Sequence, residues 1–402
     1  MTLELTPRKI FTGTFHTTPR IKELIDEILE SGRISYGEKS RAFEKEFARI
    51  HFSEYATLSN SGTSSLHVAL QVLREIGFWE YGDEVIVPAT TFVATANIVR
   101  HNRLTPIFID VDCNYYNLDP EKIEEKITDR TRAIIPVHLF GQSANMTKIM
   151  KIAKKHNLKV IEDSCEAMFV THNKQPVGSM GDIGCFSMYV AHLVTAGVGG
   201  VSITNNPEYS ARMRSLVNHG LSNKDLNMDD DFSPQPMSNR RFHFDSVGHS
   251  FRITEFEAAL GLAQLETHKE MIRIRLKNGR QYTSGLELIN SRYSEPIYQP
   301  AHIMKKNEHA YMMYPIVLHK QDDAIVDKQP VMEFLNRRGI ETRDMLPILG
   351  QPVYKHLSAT NFPVSDWIEQ SGFYVGSHQN LTIEDVEYVL NALSDYAVLL
   401  KG

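Results

Sequence analysis

The chain predicts an α/β protein built on one largely parallel sheet with a second, smaller α+β unit behind it. Three observations carry that reading. From Asp83 onward, short apolar runs alternate with segments of helical period, the pattern of parallel strands covered by helices. At 42% hydrophobic and 23% charged, the composition is that of an ordinary globular chain. Its 402 residues are enough to bury a full core without covalent staples, and correspond to about two to three domains.

The elements follow in order. Residues 18–30 place Ile21, Leu24, Ile25, Ile28 and Leu29 at helical spacing, and Gly32 stops that helix. Residues 40–50 form a second amphipathic helix through Phe43, Phe47 and Ile50, with a loop at 35–38 between the two. At 56–72 a short strand runs into a Ser/Gly/Thr cluster that opens a helix. Such a helix start binds phosphate through its free backbone N–H groups, or is simply a capped end. Strands are expected at 84–88, 105–112, 132–140 and 158–163, and helices at 91–100, 120–128 and 145–156. Ligands of such sheets sit at the carboxyl ends of strands. Asp112, His138, Asp163 and Ser187 fall at or near such ends. Residues 221–246 are polar and turn-rich, a long loop. A long helix is expected from 254 to about 285, then a strand at 311–318 and helices at 329–338 and 383–400. The boundary is drawn at 1–265 for the large domain and 266–402 for the small one.

A net charge of −6 argues against nucleic acid or an anionic membrane as partner. The three cysteines, Cys113, Cys165 and Cys185, show no C-x-x-C spacing. They fit a reducing compartment and are too few for a four-cysteine iron–sulfur cluster. The N-terminus carries no apolar leader and no run approaches a membrane span. A cytoplasmic protein without a metal site is expected.

The chemistry concentrates between Lys159 and Gly200. An apolar strand delivers Asp163, a second delivers Ser187, and His192 follows before a Gly-rich turn. A carboxylate to pair with a heterocyclic nitrogen, a hydroxyl for a phosphate and a nearby base resemble a pyridoxal phosphate site.

Six segments in order, S-G-T-S-S-L-H (61–67), G-D-E-V-I-V-P (82–88), T-F-V-A-T (91–95), V-I-E-D (160–163), G-D-I-G-C-F-S (181–187) and T-E-F-E-A-A-L-G-L-A-Q-L (254–265), resemble the DegT/DnrJ/EryC1/StrS family of nucleotide-sugar aminotransferases and their relatives. The resemblance covers nearly the whole chain. It implies the fold type I, aspartate aminotransferase-like architecture of pyridoxal phosphate enzymes, and a homodimer with composite active sites. It implies that Asp163 pairs with the pyridine nitrogen, that Phe92 stacks on the ring, and that Gly62, Thr63, Ser64 and Ser187 hold the phosphate. Plain packing for Phe92 and a turn hydroxyl for Ser187 are the alternatives.

One position departs from the common pattern. The family's coenzyme-bonding lysine should stand five residues after Ser187, where this chain has His192. The nearest lysine in sequence, Lys174, lies on the other side of the expected strand. Imidazole cannot bond the coenzyme, but it can act as a general base near neutral pH. The same replacement marks the family's 3-dehydratases, which act on 4-keto-6-deoxy nucleotide sugars, the GDP-mannose type among them. Thr195 and the Gly199–Gly200 pair, Glu166 in E-D-S-C-E, and F-Y-V-G-S-H-Q (373–379) with His378 resemble that subgroup. Ser250 replaces the family's phosphate-reaching asparagine, and Val198 stands where the dehydratases carry glutamate. The resemblance thus implies pyridoxamine phosphate as resting cofactor, with L-glutamate regenerating it. His192 is the base and His378 a possible acid. His219, Arg252 and Arg343 are contacts for the nucleotide sugar, or equally surface residues. A sugar aminotransferase of the same family, and a non-catalytic binder of cofactor or sugar, are the rival readings.

Overall fold

A computed structural model describes residues 8–15, 17–222, 243–346, 348–354, 356–357 and 361–401. Most of the loop expected at 221–246 lies outside them.

Helices α1 (Pro19–Ser31) and α2 (Glu38–Ile50) precede the first strand, β1 (Tyr55–Ser59). Gly32 ends α1 in the left-handed region at φ 66, as its lack of a Cβ allows. Then come α3 (Gly62–Ile76), β2 (Glu84–Pro88), α4 (Val93–His101), β3 (Thr105–Ile109), β4 (Thr131–Ile134), α5 (Met146–His156) and β5 (Lys159–Asp163). A small hairpin, β6 (Thr171–His172) and β7 (Gln175–Pro176), leads to β8 (Ile183–Ser187), β9 (Gly200–Thr204) and α6 (Pro207–Val217). The sheet order is β1-β9-β8-β5-β4-β2-β3. Strands β8, β5, β4, β2 and β3 run parallel, and β9 is antiparallel to both its neighbours.

Both faces of this sheet are buried. Val85 and Val87 pack towards α3 and α4, while Ile86 between them packs with Ile149 and Ala153 of α5. Alternate residues of one strand serve two cores, which is why β2 reads as a continuous apolar run.

The rest of the chain comprises α7 (Glu255–Leu265), α8 (His268–Asn290), β10 (Tyr298–Gln299), β11 (Met313–Leu318), α9 (Gln329–Arg337), β12 (Thr342–Asp344), α10 (Pro363–Ser371), β13 (Gly372–Gly376) and α11 (Ile383–Lys401). Its sheet has the order β10-β11-β13-β12, and every pair is antiparallel. Ile10, from the far N-terminal segment, bridges Ile340 and joins this second core.

Three expected elements differ. The helix expected at 120–128 is two 3-10 turns, Pro120–Lys122 and Glu124–Lys126. Only Pro120 and Ile123 are buried there, too narrow an apolar stripe to dock an α-helix. The strand expected to reach residue 140 ends at Ile134, because Pro136 has no N–H to continue the ladder. The long helix expected from 254 breaks at Thr267, whose φ of −115 leaves the helical region.

The T-E-F-E segment has two separate jobs. Thr254 and Glu257 form a capping box on α7. Glu255 instead reaches α2, which Gly37 cannot cap with a side chain. Its carboxylate accepts from the N–H groups of Gly37 (2.8 Å), Lys39 (2.7 Å) and Ser40 (2.9 Å), and from the Ser40 hydroxyl. Replacing Glu255 with alanine should destabilise the protein by about 2–3 kcal/mol, the loss of a buried cap. Thermal unfolding would register it, and an unchanged midpoint would contradict the capping role.

Candidate active site

Three chain segments converge where β5 and β8 end. Asp163, the last residue of β5, is 4% exposed. Its Oδ2 accepts from Thr95 Oγ1 of α4 at 2.8 Å, and its Oδ1 from the Cys165 N–H at 3.3 Å. Among the described residues no cationic side chain stands within ion-pair distance of it. Burial accordingly pushes its carboxyl above the ordinary range.

The turn before α3 lies against the end of β8. Ser61 caps the helix through its hydroxyl and the Ser64 N–H, at 3.1 Å. A Cβ on Gly62 would stand 2.7 Å from the Ser187 Cβ and 2.9 Å from the Cys165 Sγ. Only glycine fits that approach. The Gly199–Gly200 pair has a related cause: Gly199 sits at φ +133, and a Cβ on Gly200 would stand 2.2 Å from the Ser61 carbonyl oxygen. The Ser187 hydroxyl thus faces a helix start with open N–H groups, an anion cradle.

His192 follows on the loop between β8 and β9. Its N–H bonds the Tyr189 carbonyl at 2.9 Å, and its ring stands edge-on to Tyr189 at 5.9 Å. Nδ1 lies 3.3 Å from the Ser187 carbonyl oxygen. A carbonyl only accepts, so Nδ1 carries the proton and Nε2 keeps its lone pair. Burial lowers this imidazole to about 4, so it is neutral at neutral pH.

These residues fit pyridoxal phosphate. A buried carboxylate without a counter-cation suits a protonated ring nitrogen, and the Gly62–Ser187 cradle suits the phosphate. Glu166 stands nearby. It accepts from the Phe140 N–H at 2.8 Å, and burial together with the Asp163 charge lifts it to about 7. Phe92, the residue before α4, is 58% exposed, which leaves its ring free to stack and excludes core packing.

The remaining sequence candidates fall into two groups. Arg252 donates to Asn218 Oδ1 (2.8 Å), His219 Nε2 (3.1 Å) and Ser250 Oγ (3.2 Å). This cluster is tied to the turn before α3 by the Asn60 N–H and the Phe251 carbonyl, but bonds none of Asp163, Ser187 or His192. From the second sheet, Arg343 pairs with Glu341 at 2.8 Å and lies near Tyr189 and Tyr374. His378 follows β13. It is 4% exposed, its Nε2 bonds the Phe11 carbonyl at 3.2 Å, and burial holds it down to about 4. With Nε2–H committed to that carbonyl, His378 holds no spare proton, which counts against it as an acid.

Two residues near strand ends are excluded from the site. Asp112 caps its own turn through the N–H groups of Asn114 and Tyr115. His138 is fully buried on Glu162. Lys174 lies in the β6–β7 turn. Sequence reading missed Thr95, whose place one helical turn after Thr91 was the available signal, and Arg275, which carried none.

Among the described residues no cluster of His, Cys, Asp and Glu could hold a metal ion, and no helix is long and apolar enough to cross a membrane.

Comparison with known proteins gives a consistent result. The model of the "DegT/DnrJ/EryC1/StrS aminotransferase family" matches residues 16–394. GDP-perosamine synthase of Caulobacter vibrioides is 36% identical, over 89% of this chain and 89% of its own length. The dTDP-4-dehydro-2,6-dideoxy-D-glucose 3-dehydratase of Saccharopolyspora spinosa is 30% identical, over 93% of this chain and 83% of its own. The structure of Escherichia coli GDP-4-keto-6-deoxy-D-mannose-3-dehydratase with bound hydrated pyridoxal phosphate superposes with a TM-score of 0.85, at 25% identity, over 96% of this chain and all of that one.

Proposed function

Because the chain belongs to the DegT/DnrJ/EryC1/StrS aminotransferase family of pyridoxal phosphate enzymes, we propose that it converts a 4-keto nucleotide sugar, and that the outcome is loss of the hydroxyl on sugar carbon 3. The observation that carries the finer reading is His192, an imidazole where a lysine would bond the coenzyme. Pyridoxamine phosphate, when bound, supplies an amine for the ketone and a ring that withdraws electrons. Asp163 keeps a proton on the ring nitrogen. The N–H groups at the start of α3 and the Ser187 hydroxyl hold the phosphate. His192 Nε2 takes a proton from a neighbouring carbon and can return it to the departing hydroxyl as water. An imidazole has no amine to exchange, so the route by which lysine completes an amino transfer is missing. L-Glutamate would restore the amine form, and a second copy of the chain would complete the site.

A second reading, amino transfer to the sugar, rests on the relatives. The GDP-perosamine synthase match is higher in identity than the 3-dehydratase match, 36% against 30%, and the relatives' names favour amino transfer over the 3-dehydration expected from the sequence. Incubation with a 4-keto-6-deoxy nucleotide sugar and L-glutamate separates the two. Free ammonia with a 3-deoxy product supports dehydration. An amino sugar retaining its oxygen at carbon 3 establishes amino transfer and overturns the primary reading.

A further inference from the structure

The segment before α1 crosses the edge of the second sheet on its way to the site. Ile10 is 2% exposed. Its N–H donates to the Gly339 carbonyl, and its carbonyl accepts the Glu341 N–H, both at 2.8 Å. The Thr12 N–H donates to Glu341 Oε2 at 2.8 Å, while Glu341 Oε1 holds Arg343. The Phe11 carbonyl accepts from His378 Nε2 at 3.2 Å. His378 Nδ1 has no partner among the described residues, so the hydrogen bond of this ring goes to the segment. That anchor is itself fixed from α8. Asn278 donates to the His378 carbonyl at 3.1 Å, and Arg275 to Gln379 Oε1 at 3.0 Å. A Cβ on Gly376 would stand 2.1 Å from the Phe11 carbonyl oxygen, so β13 must end in glycine for the segment to pass.

Beyond Thr12 the segment meets the loop that carries His192. A Cβ on Gly13 would stand 3.0 Å from the Ala191 Cα and 3.3 Å from the Val190 carbonyl oxygen. The two backbones lie against each other with no room for a side chain between them. Ala191 adjoins His192. Tyr189 and Val190, just before it, are 48% and 38% exposed, so their side chains do not moor this turn in the core. The His192 ring has one hydrogen bond among the described residues, from Nδ1 to the Ser187 carbonyl, and at 3.3 Å it is long. A general base is effective only where its lone pair is held in a defined direction. A ring so loosely tethered depends on the fixing of its own backbone.

We propose that Gly13 is a positioning residue for His192. The segment 10–13, held by Glu341 and His378, braces the Val190–Ala191 peptide, and the brace keeps Nε2 in one direction. This rests on the reading of His192 as the base and deepens it. It also gives F-Y-V-G-S-H-Q (373–379) a use, since Gly376 lets the segment pass and His378 holds it.

The test uses two pairs of variants. Gly13→Ala presses slightly on Ala191, and Gly13→Val presses harder. His378→Ala releases the Phe11 carbonyl, and His378→Gln keeps a donor for it. The first readout is 15N NMR of the imidazoles in the cofactor-loaded protein at neutral pH, with the His192 signals identified by their loss in His192→Asn. Wild type should show a protonated Nδ1 and an unprotonated Nε2 as two well-separated signals. In Gly13→Val and His378→Ala the two should draw together as the tautomers mix. The second readout is a single turnover of the amine-loaded enzyme with a 4-keto-6-deoxy nucleotide sugar. It should slow by about 10–100-fold in those two variants, the scale of a small misplacement of a reacting group. Gly13→Ala should lie between them and wild type, and His378→Gln should recover most of the rate that His378→Ala loses. Coenzyme affinity should stay as in wild type, because the start of α3 and the Ser187 hydroxyl are untouched. Wild-type His192 signals in folded Gly13→Val, whatever its unfolding temperature, overturn the proposal and leave the segment a structural strap. If Gly13→Val does not fold, the His378 pair decides, and wild-type His192 signals in His378→Ala overturn it. Merged signals in a variant that keeps full turnover, or in a protein that turns over no keto sugar, would uphold the brace and sink the role assigned to His192 above.

Discussion

Replacing His192 with asparagine is expected to lower turnover by about 10²–10⁴-fold while leaving coenzyme binding largely intact, because a general base is lost and the phosphate cradle and Asp163 are not. Asparagine can keep a donor towards the Ser187 carbonyl, the place Nδ1 occupies at 3.3 Å. It cannot take a proton at neutral pH. The wild-type rate should fall on the acid side as the imidazole protonates. That limb should lie near 4, below the ordinary imidazole value, because burial disfavours the cation. The limb should disappear in His192→Asn. His192→Lys supplies the missing amine. The coenzyme should then stay attached through denaturation after borohydride reduction, as mass spectrometry would register. An active His192→Asn enzyme with an unaltered pH profile would remove the basis for assigning the base.

Truncation of Glu162 to alanine should destabilise the fold by about 3–5 kcal/mol, the range for stripping one partner from a buried charged network. Glu162 is fully buried next to Asp163 on β5. Its Oε1 accepts from the N–H groups of Met180 and Gly181, both at 2.6 Å. Its Oε2 accepts from the Gly178 N–H at 2.8 Å and from His138 Nε2 at 2.9 Å. His138 Nδ1 accepts the Ala144 N–H at 3.0 Å, so Nε2 is the protonated nitrogen and points at the carboxylate. Alanine would leave three backbone donors and an imidazole N–H without acceptors, each a desolvation cost of about 1–3 kcal/mol before relaxation. Glu162→Gln should fare better, since its oxygen still serves one pair of donors, while its amide meets donors on the other side. Thermal unfolding of the three proteins should rank wild type, glutamine, alanine. Because Asp163 is the next residue, coenzyme affinity should fall along the same order. An alanine variant as stable as wild type would show that this carboxylate does not hold the 178–181 turn.

Much of the architecture was legible because it depends on local period. The alternation from Asp83 marked the parallel sheet, and the α1 and α2 stripes marked helices that the structure contains. Where local reading failed, a longer-range condition decided. Residues 120–126 lack an apolar face for an α-helix, Pro136 has no ladder donor, and Thr267 bends the backbone. At the site, Asp163 and Ser187 stood at strand ends as read. Asp112 and His138 were read the same way, yet both are consumed by structural bonds. Neighbouring acids in one V-I-E-D segment proved to have opposite duties, Glu162 holding a turn and Asp163 standing at the strand end against Thr95 of α4.

The sequence by itself determined the residue at position 192, and with it the absence of a coenzyme-bonding amine there. It also determined the order of the motifs that identify the family and the short apolar runs that build the sheet. Only the tertiary structure decided which polar groups are already spent. Glu255 caps a helix 215 residues earlier in the chain, His378 gives its Nε2 proton to the carbonyl of Phe11, and Arg275 is buried with no acid to match it among the described residues. The physical reason is that period and residue type are properties of a few adjacent positions. The partner of a hydrogen bond is set by distances through space between segments the sequence keeps far apart.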